Sequence, residues 1–299
     1  MKEIKKDYPK KKTAQEFVIH KNAVPLLEFL LEKLSRLSRN NVKSLLSRKQ
    51  VLVNGAIVTA FDYSLVKEDV VTITPYSNQE LKAMKLPVIY EDDDLLVLDK
   101  PAGILSVESD QEKGKTMFNM ASKYLAIKEP KKRLYILHRL DKDTSGVLAF
   151  AKNNKFKTIM HQDWNNNVFR RKYYAIVVGN LSKKSATLTN YLGENNLNLV
   201  FVSNNPHDKK AVLTYKVIKE NKDYSLLEVM LQTGRKNQIR VQLGHIGHHV
   251  IGDQKYGKPQ DPLHRLGLHE AEFGLIYPET GKKYLFKSKL PSEFTKLFS

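Results

Sequence analysis

"LHRLDKDTSGVLAF", residues 137–150, places a polar loop between two apolar runs, and His, Arg, Asp, Thr and Ser are crowded into that loop. The apolar run "LYIL" leads into the loop, and "VLAFA" leaves it after Gly146. This change indicates that the backbone leaves one buried element and enters another. Loops of this kind are where a rigid scaffold holds reactive groups, so we expect the functional centre here.

The same residues also admit a purely structural interpretation. Asp143 could cap a turn through Thr144 and Ser145, while Arg139 and Asp141 could form an ordinary ion pair. Because both interpretations use the same side chains, specific chemistries have to be compared with the residues one at a time.

Three chemistries fit this loop poorly. A protein-kinase loop has adjacent His, Arg and Asp, but Leu140 intervenes and no glycine-rich phosphate loop precedes it. A serine hydrolase would need Gly on both sides of Ser145. Metal binding would combine His138 with the later "HIGHH" histidines, yet no carboxylates stand at ligand spacing. What remains is an Asp beside arginines, which can act as a covalent nucleophile.

The composition indicates a polyanionic partner. The 299 residues include 50 Lys and Arg but 32 Asp and Glu, a formal net charge of +18. We favour nucleic acid over a membrane, because no apolar run approaches the roughly 20 residues of a spanning helix. The start, "MKEIKKDYPKKK", precedes no apolar signal core, so a cytoplasmic location is expected. The lack of Cys excludes disulfides, thiolate zinc sites and cysteine nucleophiles.

The N-terminal part predicts a basic tail followed by two helices. Residues 1–12 are rich in Lys and poor in apolar side chains, as solvated tails are. From Val24 onward, leucines recur at helical spacing. Ser38 is a plausible N-cap of a second helix, "RNNVKSLLSRK". One face of that helix carries the basic residues Arg36, Arg39 and Lys43.

A hairpin and a third strand complete this first module. "VLVNGAIV" contains Asn54-Gly55, a strong hairpin signal, and "DVVTITP" predicts the next strand. The order of helix, helix, hairpin and strand resembles the S4 RNA-binding domain over residues 13–75. The alternative is a small α+β module whose charged face is only solvated.

The remainder predicts one large α+β domain. Residues 76–87 are polar and end at a proline, which is typical of a linker. Beyond them, strands such as "YYAIVVG", "AVLTYKVI" and "YSLLEVML" mix with helical stretches near 116–126 and 153–163. We expect residues 88–299 to form a single domain with a mainly antiparallel sheet.

Two further stretches carry candidate functional groups. "MLQTGRKNQIRVQLGHIGHHVIGDQKYG", residues 230–257, interleaves glycines with polar groups, which indicates close backbone approach or simply a turn-rich region. In "RRKYYAIVVG", residues 170–179, Tyr173 precedes a strand. A tyrosine there is most often half-buried packing.

These stretches together resemble the RluA-type pseudouridine synthases over about residues 88–290. "HRLDKDTSG" is similar to the signature loop of His-Arg-Leu-Asp, two variable residues and Thr-Ser-Gly. "RKYYAIVVG", "TGRKNQIRVQ" and "GDQKYG" are similar to later segments of the family, in the same order. "DKPAG" and "RLGLHEAEF" also fit.

The resemblance implies a pseudouridine synthase fold and the isomerisation of uridine in structured RNA, without metal or cofactor. Asp141 would be the attacking aspartate, and Arg139 would fill the space that the flipped-out base vacates. Tyr173 would stack on the base or act in proton transfer, and Arg240 would pair with Asp141. RNA contacts are assigned to Arg36, Arg39, Lys43, Arg139 and Arg235.

The RNA substrate and the competing functions stay open at this point. Large-subunit ribosomal RNA is favoured over transfer RNA, and a monomer is expected. A non-catalytic RNA-binding or ribosome-assembly protein is the alternative from another class. A hydrolase with two carboxylates would need Asp143 as its second acid. The chain departs from the family pattern at Asn237, at Gln242 and in "LHE" at 268–270.

Overall fold

The computed structural model describes residues 15–21, 23–74, 86–108, 114–129, 132–257 and 261–299. The predicted basic tail and nearly all of the predicted linker lie outside the described residues. The chain divides into two compact units, one from residues 1–86 with 120–134 and one from 87–119 with 135–299. None of the described helices is long and apolar enough to cross a membrane.

Residues 15–74 of the first unit form two helices and two small antiparallel sheets. Its elements are β1 (Gln15–Val18), β2 (Val24–Pro25), α1 (Leu26–Lys33), α2 (Arg39–Ser47), β3 (Val51–Val53), β4 (Ala56–Ile57), β5 (Ser64–Leu65) and β6 (Val70–Ile73). The larger sheet has the order β1-β6-β3-β4, and β2 pairs with β5. The predicted order of helix, helix, hairpin and strand is confirmed. The predicted first helix begins two residues late, because Val24 and Pro25 pair with β5.

Local sequence signals explain the boundaries within this unit. The Ser38 hydroxyl accepts a hydrogen bond from the Asn41 N–H at 3.3 Å, as an N-cap should. Asn54 and Gly55 both have positive φ, 51° and 80°, which a tight hairpin turn requires. The Asn54 side chain also donates to Asp69 at 2.7 Å and accepts from the Val70 N–H at 2.9 Å. These bonds tie the hairpin to β6.

From residue 87 onward the described residues form one large sheet and five helices. The elements are β7 (Val88–Glu91), β8 (Leu95–Lys100), α3 (Met117–Lys128), β9 (Tyr135–Ile136), β10 (Ser145–Ala151), α4 (Asn154–Gln162), α5 (Trp164–Asn167), β11 (Arg170–Val178), β12 (Ser185–Glu194), β13 (Val200–Ser203), β14 (Lys209–Glu220), β15 (Tyr224–Leu231), α6 (Gln238–His245), β16 (Leu268–Tyr277), β17 (Lys282–Lys287) and α7 (Ser292–Lys296). The sheet order is β13-β12-β14-β15-β11-β16-β10-β8-β7, with β17 on β16 and β9 on β10. The predicted α+β class with a mainly antiparallel sheet is confirmed.

An interior strand of this sheet is β10, whose seven residues are all buried. It pairs antiparallel with β8 and parallel with β16 at Ser145 and Gly146. Apolar side chains of β8, β10, β16 and α4 form the main core beside it. The loop that precedes β10 is therefore anchored directly to this core.

Gly146 allows the close approach of β10 and β16. Its φ is +118°, and a Cβ at this position would lie 2.1 Å from the carbonyl oxygen of Glu270. No side chain fits there without moving a strand. The glycine that ends the polar loop is thus a packing requirement of the sheet.

We predict that Gly146→Ala destabilises the second unit by about 4 kcal/mol or more, because a backbone clash adds to the conformational strain. Gly281→Ala is the matched control. Gly281 also has positive φ, +68°, but nothing lies within 4 Å of its added Cβ. That variant should lose about 1 to 2 kcal/mol. The measurement is urea unfolding followed by fluorescence of Trp164, the only Trp of the chain. Equal losses in both variants would contradict the clash.

Candidate active site

Residues from all three candidate stretches of the sequence line an open pocket of about 810 Å³. Such a volume is within the range of small-molecule and cofactor sites. Its wall includes the polar loop before β10, two side chains of β11, and the turn that leads from β15 into α6. The segments that line it are 105–108, 137–144, 171 with 173, and 234–240, and residues near 252–255 and 266–268 complete the wall.

Asp141 and Arg240 meet in this pocket although they lie 99 positions apart. Nη1 of Arg240 donates a hydrogen bond to Oδ2 of Asp141 at 3.2 Å. The Asp141 side chain is 33% exposed, whereas the Arg240 side chain is 9% exposed. The carboxylate therefore faces the open pocket while the guanidinium supports it from the protein side.

Asp253 holds Arg240 in place. Nε and Nη2 of Arg240 each donate to one oxygen of the Asp253 carboxylate at 2.7 Å, in a bidentate pair. Burial alone would lower the pKa of Arg240, but the hydrogen bonds and charge of Asp253 raise it further above its usual range. At Asp253, burial raises the pKa of the carboxyl group. The hydrogen bonds and charge of Arg240 outweigh burial, so this pKa is lowered. Asp253 lies in the "GDQKYG" segment but is not among the predicted site residues.

The two predicted RNA-contacting arginines of this unit both lie at the pocket. Arg139 is exposed on the pocket wall, and the structure gives it no ion pair with Asp141. The predicted alternative of an ordinary Arg139–Asp141 pair is therefore wrong. Arg235 is exposed at the rim, where its Nε donates to the carbonyl of Lys210 at 3.0 Å. Arg36, Arg39 and Lys43 lie in the first unit and are exposed.

Tyr173 lines the pocket but is 7% exposed. Burial and the nearby Glu270 carboxyl raise the pKa of its hydroxyl well above 10. Beside it, the Arg171 guanidinium donates to the Gln232 carbonyl at 2.8 Å. Gly234 leaves room for this guanidinium, because a Cβ there would lie 2.5 Å from Arg171 Nη1. Tyr173 is therefore more deeply buried than the half-buried packing predicted for it, and charged groups lie near its hydroxyl.

Lys100, which the sequence analysis missed, holds the polar loop from behind. Its side chain is fully buried, and Nζ donates to the carbonyls of Pro101, Lys142 and Thr144 at 3.0, 2.7 and 2.7 Å. Three acceptors match the three N–H groups of an ammonium. Burial lowers the pKa of Lys100 to about 7, while the charges of Asp143 and Asp141 oppose that shift. The only sequence signal was a lysine in the quoted "DKPAG".

The turn itself differs in detail from the prediction. The Thr144 N–H donates to the Asp141 carbonyl at 3.2 Å, so the turn is closed by the backbone. The Ser145 hydroxyl contacts Arg265 Nη2 at 2.5 Å and His269 Nδ1 at 2.8 Å. Asp143 is exposed, and no hydrogen bond of its carboxylate occurs in the described part of the chain. It does not cap the turn through Thr144 and Ser145.

Asn237, one departure from the expected family pattern, lies against the catalytic candidates. Its Oδ1 accepts from Arg240 Nη1 at 3.3 Å, and its Nδ2 donates to the Tyr256 hydroxyl at 2.8 Å. The Tyr256 ring also lies 5.1 Å from the Arg240 guanidinium. Gln242 is fully buried and bonds to Asn190 at 2.8 Å, away from Asp141.

The histidines considered for metal binding do not assemble into a site. His138 stacks on Phe273, with ring centroids 4.2 Å apart. Across the residues that the structure describes, no group of three or more His, Asp or Glu is arranged to hold a metal ion.

Comparison with known protein families agrees with this geometry. The family profile described as RNA pseudouridylate synthase matches residues 94–245, a range that contains Asp141, Tyr173 and Arg240. The RNA pseudouridine synthase YlyB of Bacillus subtilis is 32% identical over 279 residues, which cover 90% of this chain and 91% of that protein. The ribosomal large subunit pseudouridine synthase D of Pasteurella multocida is 30% identical over 279 residues, with 87% and 86% covered.

A solved structure has the same fold. The human RNA pseudouridylate synthase domain containing 4 superimposes with a TM-score of 0.60 at 21% identity. The matched part covers 73% of this chain and 94% of that chain. The large, mostly antiparallel sheet is therefore the pseudouridine synthase fold.

Proposed function

The chain belongs to the RNA pseudouridylate synthase family, and from that membership we propose that Asp141 is the group that attacks during isomerisation of uridine. Membership makes the chain an RNA pseudouridine synthase, an isomerase acting on RNA. The single observation that carries the role of Asp141 is its placement. It is the carboxylate that faces the pocket and is bonded to a buried, fixed guanidinium.

The reaction explains why Arg and Tyr stand beside this carboxylate. The bond from the sugar to N1 of uracil breaks, a bond to C5 forms, the C5 proton leaves and N1 gains one. A base inside a helix must first be flipped out. Arg139, exposed on the pocket wall, is suited to fill the space it leaves, and Tyr173 to contact the base or take part in proton transfer.

The pocket also has to hold the detached base while it turns. A closed, shaped site favours this over loss to water. The loop around Asp141 supports such a site, because Lys100 and the contact of β10 with β16 fix it from behind. A two-carboxylate hydrolase receives no comparable support, since Asp143 is exposed and has no positioning bond among the described residues.

For the first unit we propose an S4-type RNA-binding role, with residues 13–75 as that domain, 76–87 as a linker and 88–299 as the catalytic domain. Support comes from α2, whose exposed face carries Arg39 and Lys43 and follows Arg36. The Lys43 ammonium lies 5.7 Å from the ring centroid of Phe61, and this ring is 56% exposed. Basic groups beside an exposed aromatic ring suit contact with phosphates and bases.

The substrate we propose is large-subunit ribosomal RNA, so that the protein acts in rRNA processing, as a monomer in the cytoplasm. The support is the relative from Pasteurella multocida, whose name specifies the ribosomal large subunit. Transfer RNA is the second candidate. Family membership disfavours a non-catalytic RNA-binding or assembly protein.

Asp141→Asn should lower conversion by about 10⁴-fold or more, because it removes the attacking carboxylate while keeping its size. RNA affinity should change little. The measurement is chemical mapping of pseudouridine in ribosomal and transfer RNA from cells that lack the gene or carry wild type, Asp141→Asn or Asp143→Asn. Wild type and Asp143→Asn should restore the same positions. Restoration by Asp141→Asn would refute its role, and restored positions in transfer RNA alone would refute the ribosomal substrate.

Replacing Arg36, Arg39 and Lys43 together by Ala should weaken RNA binding and reduce the salt slope of log K by about 2 to 3, one for each lost phosphate contact. A matched control replaces Lys183, Lys219 and Lys222, which are exposed on the second unit. The control loses the same charge but should keep the wild-type slope. The measurement is RNA binding by filter retention between low and moderate salt. Equal slopes for both triple variants would contradict the role of α2.

A further inference from the structure

Glu270 carries a fully buried carboxyl group near the start of β16. Neither of its oxygens has a hydrogen bond within the described residues. Leaving a buried polar group unpaired is unfavourable, and for a carboxylate it is more so. A side chain held in this state directly behind an active site calls for a functional explanation.

Tyr173 lies opposite Glu270 in the sheet. The two residues are cross-strand partners in the β11–β16 pairing, and the register shifts next to them, between Lys172 and Tyr173. This irregularity leaves Ala271 without a partner on β11, and so brings Glu270 opposite Tyr173. The side chains are close enough for each to shift the pKa of the other, although their geometry falls short of a hydrogen bond.

His138 directs a second donor toward the same carboxyl group. Burial, with a smaller effect from Arg171, lowers the pKa of His138 to about 3, so the ring is neutral. Its Nε2 accepts a hydrogen bond from the Ala149 N–H at 3.1 Å. The single ring proton must then be on Nδ1. This Nδ1 lies 3.9 Å from Oε2 of Glu270.

Arg171 provides the third donor, and its Nε is also buried without a hydrogen bond among the described groups. Its positive charge acts on the Glu270 carboxyl. Tyr173, His138 and Arg171 are thus all donors, and all surround one acceptor. These donors and the charge of Arg171 favour the ionised form of Glu270, whereas burial favours the protonated form, so the carboxyl group is balanced between the two.

The two sides of the Tyr173–Glu270 pair differ in access. Tyr173 lines the pocket, whereas Glu270 does not. On its other side, the Glu270 backbone packs against Gly146 so closely that no Cβ would fit. Glu270 can therefore act on the substrate only through a pocket residue beside it, and of these Tyr173 is its cross-strand partner.

We propose that Glu270 is a positioning residue that accepts the hydroxyl proton of Tyr173 while Tyr173 takes the C5 proton of the target uracil. This rests on the proposed function. The C5–H bond breaks, its electron pair forms the C5–C6 double bond, and N1 gains a proton. Tyr173 passes its own proton to the Glu270 carboxylate and keeps the one from C5, so its charge is unchanged. Glu270 later returns this proton to Tyr173 while the Tyr173 hydroxyl releases one to water in the pocket, which balances the proton taken up at N1.

The surroundings of Glu270 predict the pH dependence of this step. Burial raises the pKa of Glu270 to about 8, and the hydrogen-bonding tendency of Tyr173 and the charge of Arg171 limit the rise. Since the ionised form is the acceptor, the rate should rise with pH through about 8. The facing groups do not titrate there, because His138 is neutral, Arg171 stays charged and the pKa of Tyr173 is well above 10. Burial lowers the pKa of Lys100 to about 7, within the pH range of the test. Because every variant keeps Lys100, a difference between their pH profiles does not come from its titration.

The test compares single-turnover conversion of uridine by wild type, Glu270→Gln, Tyr173→Phe and the double variant between pH 6 and 9.5. Glu270→Gln keeps the shape but cannot accept the proton. Its rate at pH 8.5 should fall by about 10²-fold, a usual effect of losing acid–base assistance. The rise through pH 8 should disappear in Glu270→Gln and in Tyr173→Phe. The double variant should be no slower than the slower single variant, because the two groups act as one unit.

Two outcomes would overturn the proposal. One is a Glu270→Gln enzyme that still rises through pH 8, and the other is a double variant whose losses multiply. If Glu270→Gln does not fold, as judged by Trp164 fluorescence, the profile of Tyr173→Phe decides alone. A rise through pH 8 that persists without the Tyr173 hydroxyl contradicts the link.

A titration of the RNA-free protein separates this proposal from the proposed function. Carbon-13 NMR of labelled glutamate carboxyls should find one group with a pKa of about 8, absent in Glu270→Gln. A full conversion rate in Asp141→Asn would refute the proposed function but would not affect the result of this titration. If Asp141→Asn is inactive and the pH–rate profile of Glu270→Gln matches that of the wild type, only the role of Glu270 is refuted.

Discussion

The bidentate ion pair between Arg240 and Asp253 is the constraint on which the active site depends. Both of its N–H···O contacts are 2.7 Å long, and both side chains are largely withdrawn from solvent. The Asp253 carboxylate also accepts the backbone N–H groups of Lys255 and Tyr256 at 2.9 and 3.0 Å. A buried pair of this kind contributes little net stability but fixes orientation. The remaining Nη1 of Arg240 is thereby aimed at Asp141.

A second set of contacts fixes the polar loop from the opposite side. Lys100 binds three backbone carbonyls, and the Ser106 hydroxyl both donates to the Leu140 carbonyl at 2.7 Å and accepts the Leu140 N–H at 3.0 Å. The loop then enters β10 at Gly146, where the sheet leaves no room for a side chain. Asp141 is thus placed by backbone attachments and by one guanidinium. The density of polar residues in the loop reflects the proposed reactive group and the scaffold that presents it.

Much of this organisation was predictable, because it depends on local signals. The N-cap Ser38, the Asn54-Gly55 turn and the apolar strands each act over a few residues, and the structure has them where the sequence indicates. The role of Lys100 was not predictable in the same way, since backbone carbonyls carry no residue signature. Glu270 was visible only as a departure in "LHE". Its opposition to Tyr173 follows from a register shift in the β11–β16 pairing, which periodicity does not reveal.

We expect Asp253, acting through Arg240, to position the carboxylate of Asp141. The most direct test of this role is the single-turnover rate of Asp253→Asn on saturating RNA. An amide cannot accept both guanidinium bonds, so Arg240 should lose its fixed orientation. We expect the rate to fall by about 10²-fold, as small misplacements of reacting groups cause, with RNA affinity and Trp164 fluorescence unchanged. A wild-type rate in a folded Asp253→Asn enzyme would contradict it.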